Sequence, residues 1–146
     1  MSSVKPSHQD ADLVIKCYEM RREPVMREAR NAIMSKFWPN SLADIEAVAN
    51  QFTHELNSAF RQTSSYWEMV YGFAKHGIID PNFFIETNGE GLFLLAKIYP
   101  FLEEFRSKYS PTAFRNAEWI ATECEEGKRR FAMICARVDS MKAAMK

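Results

Sequence analysis

The sequence predicts an all-α protein, and three observations carry that expectation. Apolar residues recur at three- and four-residue spacing along most of the 146-residue chain. No stretch sustains the apolar–polar alternation of a strand, and no Asn-Gly or Asp-Gly step joins two β-branched runs. Helix-start signals also recur before the apolar stripes, as Ser7 with Asp10, Ser41 with Asp44, Asp80 before Pro81 and Ser110 before Pro111. Together they imply a single domain over residues 1–146, a helical bundle of about five helices. Two are long and carry an a/d pattern (41–76 and 111–143), and one over 90–108 is central and buried. Residues 1–6 are expected to be disordered.

The first helix opens at the Ser7/Asp10 capping box and carries the stripe Leu13, Cys17, Met20. Pro24 cannot donate to Met20 and its ring crowds the preceding turn, so a kink or restart is expected near Glu23. The helix then continues through Val25, Ala29, Ile33 and Phe37 and closes at Trp38-Pro39-Asn40.

The next pattern is the clearest: Leu42, Ile45, Ala49, Phe52, Leu56, Ala59, Thr63, Tyr66, Val70 and Phe73 follow three-four spacing. Gly77 after His76 suits the left-handed residue that ends a helix. One helix from Ser41 to His76 would be roughly 50 Å long, so a break is most plausible at the Ser/Thr-rich stretch from Gln62 to Ser65. Asp80 caps a short helix with Pro81 in its first turn, and Ile79 is placed to staple onto Phe84. Glu90 to Lys108 is apolar nearly all round in its first half, which calls for neighbours on every side, and Pro100 should bend it. Ser110-Pro111 then opens the last helix, with Tyr109 available to pack on Phe114. Its seam runs through Phe114, Ala117, Ala121, Cys124, Phe131, Cys135 and Val138, and Lys128 interrupts it.

Composition narrows the chemistry. Nineteen basic and nineteen acidic side chains cancel, so no global field favours a polyanion, and nucleic acid is an improbable partner. Glu19 and Glu23 flank the basic pair Arg21-Arg22, and Glu123, Glu125 and Glu126 lie one turn before Lys128-Arg129-Arg130, so each cluster reads as a self-neutralised, solvated face. The longest apolar run, Leu92 to Leu102, is about half a bilayer span and is broken by Lys97 and Pro100, so no membrane span is expected. Met1 to Ser7 lacks the apolar core of a secretory signal, and the three cysteines form no Cys-x-x-Cys, which points to a reducing cytoplasm.

Motif by motif, catalysis loses support. The residues three before His54 and His76 are Gln51 and Phe73, so the Glu-x-x-His of a di-iron bundle is missing. His54-Glu55 is not followed by the second histidine of His-Glu-x-x-His, and the oxygen-rich stretch Asp80 to Glu90 has Phe84 and Ile85 where a calcium loop needs a ligand and a glycine. There is no phosphate-cradling glycine loop and no Gly-x-Ser-x-Gly. No cofactor or metal is implied, and an enzyme assembled from scattered residues such as His54, Glu55 and Glu90 has no motif behind it.

The leading expectation is a non-catalytic, self-associating interaction module, a homodimer or a complex with another protein, because two long seams exist and one chain need not cover both. Phe52, Leu56, Phe131 and Val138 are the candidate seam residues. The alternative is a binder of a small apolar ligand held between helices by Tyr66, Trp67, Tyr71, Phe84 and Phe93. A charge placed at Phe52 or Leu56 separates the cases: it lowers the oligomeric state measured by native mass spectrometry if the seam is intermolecular and unfolds the monomer if it is not.

Overall fold

In the computed structural model, which describes residues 5–146, about three quarters of the chain is helical and no strand occurs among the described residues. The expected disorder of residues 1–6 falls largely outside the described residues. The segments run α1 (His8–Arg22), α2 (Pro24–Lys36), α3 (Leu42–Asn50), α4 (Asn57–Lys75), α5 (Pro81–Ile85), α6 (Glu90–Ile98), a 3-10 turn (Tyr99–Phe101), α7 (Leu102–Lys108), α8 (Arg115–Glu123) and α9 (Glu125–Ala144). The count exceeds the expected five because each long helix is cut by a short break. α4 lies in the middle, with α2 on one side and α8 on the other, and α9 packs on α6 and α8.

Several ends are set by local chemistry, as the sequence indicates. Ser7 accepts from the Asp10 amide at 3.1 Å while Asp10 accepts from the Ser7 amide at 2.7 Å, a complete capping box. Glu23 separates α1 from α2, with Pro24 in the first turn of the latter. Asp80 accepts from the Phe83 amide at 2.8 Å. Gly77 adopts φ 75°, and the Ile78 and Gly77 amides donate to the carbonyls of Phe73 and Ala74, the pairing of a Schellman end.

The three long helices are corrected. Helix 41–76 breaks at residues 51–56, not at Gln62 to Ser65, because the Asn57 side chain donates to the last carbonyls of α3, Val48 at 2.8 Å and Ala49 at 3.3 Å. That contact ends α3 and turns the chain into α4, leaving Phe52 on the turn. Helix 90–108 yields to the 3-10 turn at Pro100. Helix 111–143 starts late, at Arg115, and is divided at Cys124, which is extended (φ −89°, ψ 126°). Phe114 precedes α8 in the left-handed region at φ 59°, an unfavourable place for an aromatic residue. Its ring is held in the core at 6.3 Å from Phe60.

The joint at Cys124 lets α9 fold back against α8 so closely that a Cβ on Gly127 would lie 1.9 Å from the Ile120 carbonyl oxygen. At a roomy helical site, glycine to alanine would stabilise by about 1 kcal/mol. Here Gly127→Ala is expected to destabilise by about 1–3 kcal/mol, read as a lower urea midpoint. An unchanged or higher midpoint would show that α9 is not seated this tightly.

Candidate functional site

The aromatic residues expected to line a pocket instead fill the space between helices. Tyr66, Trp67, Tyr71 and Phe84 are all buried. Their rings run in a column, Tyr66 to Trp67 at 5.0 Å, Trp67 to Tyr71 at 5.3 Å and Tyr71 to Phe84 at 6.1 Å. Phe93 is half-buried on the other side of α6, facing Lys97. The two phenols are fixed, Tyr66 donating to the Cys17 carbonyl at 2.6 Å and Tyr71 to the Asn88 carbonyl at 2.7 Å. Burial raises the pKa of both. They act as struts binding α1 and the α5–α6 turn to α4.

The seam residues divide likewise. Leu56, Phe131 and Val138 are buried inside the chain, Phe131 against Tyr99 at 5.1 Å. Phe52 is 82% exposed at the α3–α4 corner, with the Arg61 guanidinium 5.3 Å from its ring centre. His54 and Glu55 share that corner, where the His54 Nδ1 accepts from the Leu56 amide at 3.0 Å. Glu90 stands elsewhere, at the start of α6, in a bidentate pair with Arg30 at 2.6 and 3.0 Å. The three residues offered as scattered catalytic groups thus divide between two places in the fold.

Two features among the surface hollows flank α2 and α1. Beside the corner lies a cleft of about 610 Å³, lined by Phe37, Trp38, Pro39, Ala47, Val48 and Leu56, with Lys36, Asp44, His54 and Glu55 also on its walls. A second hollow of about 350 Å³ continues along α2 past Val25, Ala29, Ala32 and Ala59 and shares Lys36, Glu55 and Leu56 with the first. The two meet at these residues, and their walls mix apolar and polar side chains along one groove. Carboxylates of Glu28, Asp44 and Glu55 outnumber Lys36 along it. The second feature is a smaller cleft, about 290 Å³, between α1 and the α5–α6 turn.

A residue not singled out from the sequence lies beneath the groove. Lys97 is 2% exposed, and its Nζ donates to the Ile33 and Met34 carbonyls at 2.9 and 3.0 Å while sitting 3.8 Å from the Trp38 ring centre. It caps the C-terminus of α2 and holds the Trp38 wall of the groove from inside. No carboxylate pairs with it among the described residues, and burial lowers its pKa to about 7. Its signal in the sequence is a lysine at the centre of the most apolar run, Leu92 to Leu102.

No group of histidine, cysteine, aspartate and glutamate among the described residues is arranged to hold a metal ion. No helix there is long and apolar enough to cross a membrane. A family described as a domain of unknown function, DUF4760, matches residues 6–124. The chain belongs to this family. The match covers α1 to α8 and ends at Cys124, the joint before α9. No curated protein and no solved structure matches the chain.

Lys97 gives a signed pH dependence. Between about 7 and its ordinary 10.5, the unfolded chain keeps a proton that the folded chain has shed, so Lys97 contributes rising stability as pH rises through that window. Below about 7 both states are protonated and the cost of burying the charge is fully present. Urea unfolding of wild type and Lys97→Met at pH 6 and pH 9 should show wild type gaining on the variant at the higher pH. Parallel behaviour would mean that Lys97 is not desolvated.

Proposed function

We propose that this protein is a non-catalytic, self-associating interaction module, with the groove along α2 and the α3–α4 corner as its docking surface. The observation that carries this reading is Phe52, 82% exposed on the turn that leads into His54 and Glu55, which stand on the groove's walls with Asp44. A large exposed aromatic next to a groove is the arrangement of an interface anchor.

The occupant favoured by charge is α9 of a second copy. Its outer face combines Met133 (62% exposed) and Met141 with the exposed Arg137, a soft apolar strip with a basic flank that complements Glu28, Asp44 and Glu55. The two surfaces are neighbours in one chain, since Lys142 of α9 donates to the Pro39 carbonyl at 2.6 Å and Pro39 lines the groove. Adjacent complementary surfaces suit a two-fold dimer in which each groove takes the other copy's α9. Interface methionines tolerate imperfect fit, which suits a helix laid in a shallow groove.

Native mass spectrometry of the full chain at roughly 100 µM, a concentration that would populate even a modest interface, is expected to show a dimer. Phe52→Asp and Arg137→Glu should each shift it toward monomer without lowering the melting temperature, because both side chains are exposed. Adding Glu55→Arg to Arg137→Glu should restore dimer by exchanging the charges. A wild-type monomer at that concentration overturns the proposal, as does a dimer indifferent to all three changes.

A further inference from the structure

Among the described residues Lys97 is the only buried charged side chain, and its contacts reach beyond the helix end it caps. The carbonyls of Ile33 and Met34, at 2.9 and 3.0 Å, take two of the three N–H bonds of its ammonium. The remaining side of the nitrogen meets the Trp38 ring, whose centre is 3.8 Å away. A cation is drawn to a ring face, which carries the negative part of the quadrupole. A neutral amine keeps two N–H bonds for the carbonyls and turns its lone pair to the ring. Losing the proton therefore replaces an attraction at Trp38 by a repulsion.

The surroundings make that loss accessible. Burial lowers the pKa of Lys97 to about 7, and no neighbouring charge opposes the shift. Of the charged groups on α2, Arg30 is engaged by Glu90 at 2.6 Å, while Glu28 and Lys36 stand on the groove's walls. Lys142 of α9 donates to the Pro39 carbonyl, and Asp139 of α9 is exposed. Glu68 of α4 and Glu118 of α8 are engaged by the Ala117 amide and by Arg106. His54 and Glu55 of the α3–α4 turn lie on the groove's walls. None of the carboxylates among the described residues comes within ion-pair distance of Lys97.

Only the Trp38 side chain has room to respond. Phe37 before it is buried 5.4 Å from Phe60, and Pro39 after it is held by Lys142. Trp38 itself is half-buried, lines the groove and makes one hydrogen bond, from Nε1 to the Ser35 carbonyl at 3.1 Å. We infer that Lys97 is a proton-operated latch on the groove: protonated, it pins the Trp38 ring as a wall on which a second copy docks, and deprotonated, it releases that ring and weakens docking. The inference rests on the docking reading above and adds its regulation. The positive charge beneath the groove also repels a basic occupant such as Arg137, which acts in the opposite sense. Salt at about 0.15 M screens that effect beyond about 8 Å, whereas the buried contact at 3.8 Å is not screened, so the wall decides the sign.

The full-length wild-type protein can carry the first test without any substitution. Between pH 6 and pH 9 the Cε chemical shift of Lys97 and the indole Nε1–H shift of Trp38 are expected to titrate with one midpoint. Over the same range the dimer dissociation constant from sedimentation should rise about threefold or more, the order of one cation–ring contact. Lys97→Met, which never carries a proton, should show neither change. His54→Gln, which removes the histidine of the groove's walls, should show both. A Lys97 that does not titrate in this range, or a Trp38 signal that stays flat while it does, overturns the latch. So does a wild-type dissociation constant that is unchanged with pH or that follows pH as Lys97→Met does. A protein that is monomeric at pH 6 overturns the docking reading instead, and the Trp38 signal alone then decides whether the latch exists.

Discussion

The constraint on which the rest of this structure depends is that helix ends are expensive to bury. Every helix leaves four amides and four carbonyls without internal partners, and a chain divided into many short helices has many such ends close to its core. The solution adopted here is to send side chains from other elements to them. Glu68 of α4 accepts from the Asn116 and Ala117 amides at 3.1 and 2.8 Å, capping α8 where no local side chain does. Asn82 of α5 accepts from the Glu126 amide at 3.0 Å and so caps α9. Lys97, Asn57 and Arg30 take carbonyls of α2, α3 and α1. The helices are fastened at their tips as much as along their faces.

That arrangement has electrostatic consequences. Glu68 is pushed up in pKa by burial, and the two amides it caps oppose the shift without cancelling it. Lys97 is pushed down for the same reason and has only carbonyl dipoles and two aromatic rings to support its charge. A carboxylate at a helix N-terminus and an ammonium at a C-terminus each face the dipole end that favours them, which explains why these buried groups are tolerated at all.

Legibility in the sequence follows the same division. The class of fold was readable because three-four spacing reports a local geometry, and so were the ends at Ser7, Glu23, Gly77 and Asp80, whose signals lie within a few residues of the end they mark. The breaks at 51–56 and Cys124 were not, because Asn57 and Asn82 act on carbonyls and amides distant in sequence or hidden within a continuing apolar pattern. The stripe from Leu42 to Phe73 crosses a turn without losing its spacing, so periodicity alone could not reveal that Phe52 faces solvent. The candidate sites were least legible. Tyr66, Trp67, Tyr71 and Phe84 stack in one column while Phe93 stands apart from it, and composition does not separate rings that line a void from rings that fill it.

The cap supplied by Glu68 also bears on the order in which the chain folds. α8 follows a residue in the left-handed region and has no local cap, so its first turn has little reason to form before α4 is docked beside it, forty-eight and forty-nine positions away along the chain. α3 and α4, joined through Asn57 over eight or nine positions, carry no such delay. Closing a long loop must precede the reward for closing it, so the cap that Glu68 gives α8 carries a chain-closure cost that the local caps at Ser7 and Asp80 do not.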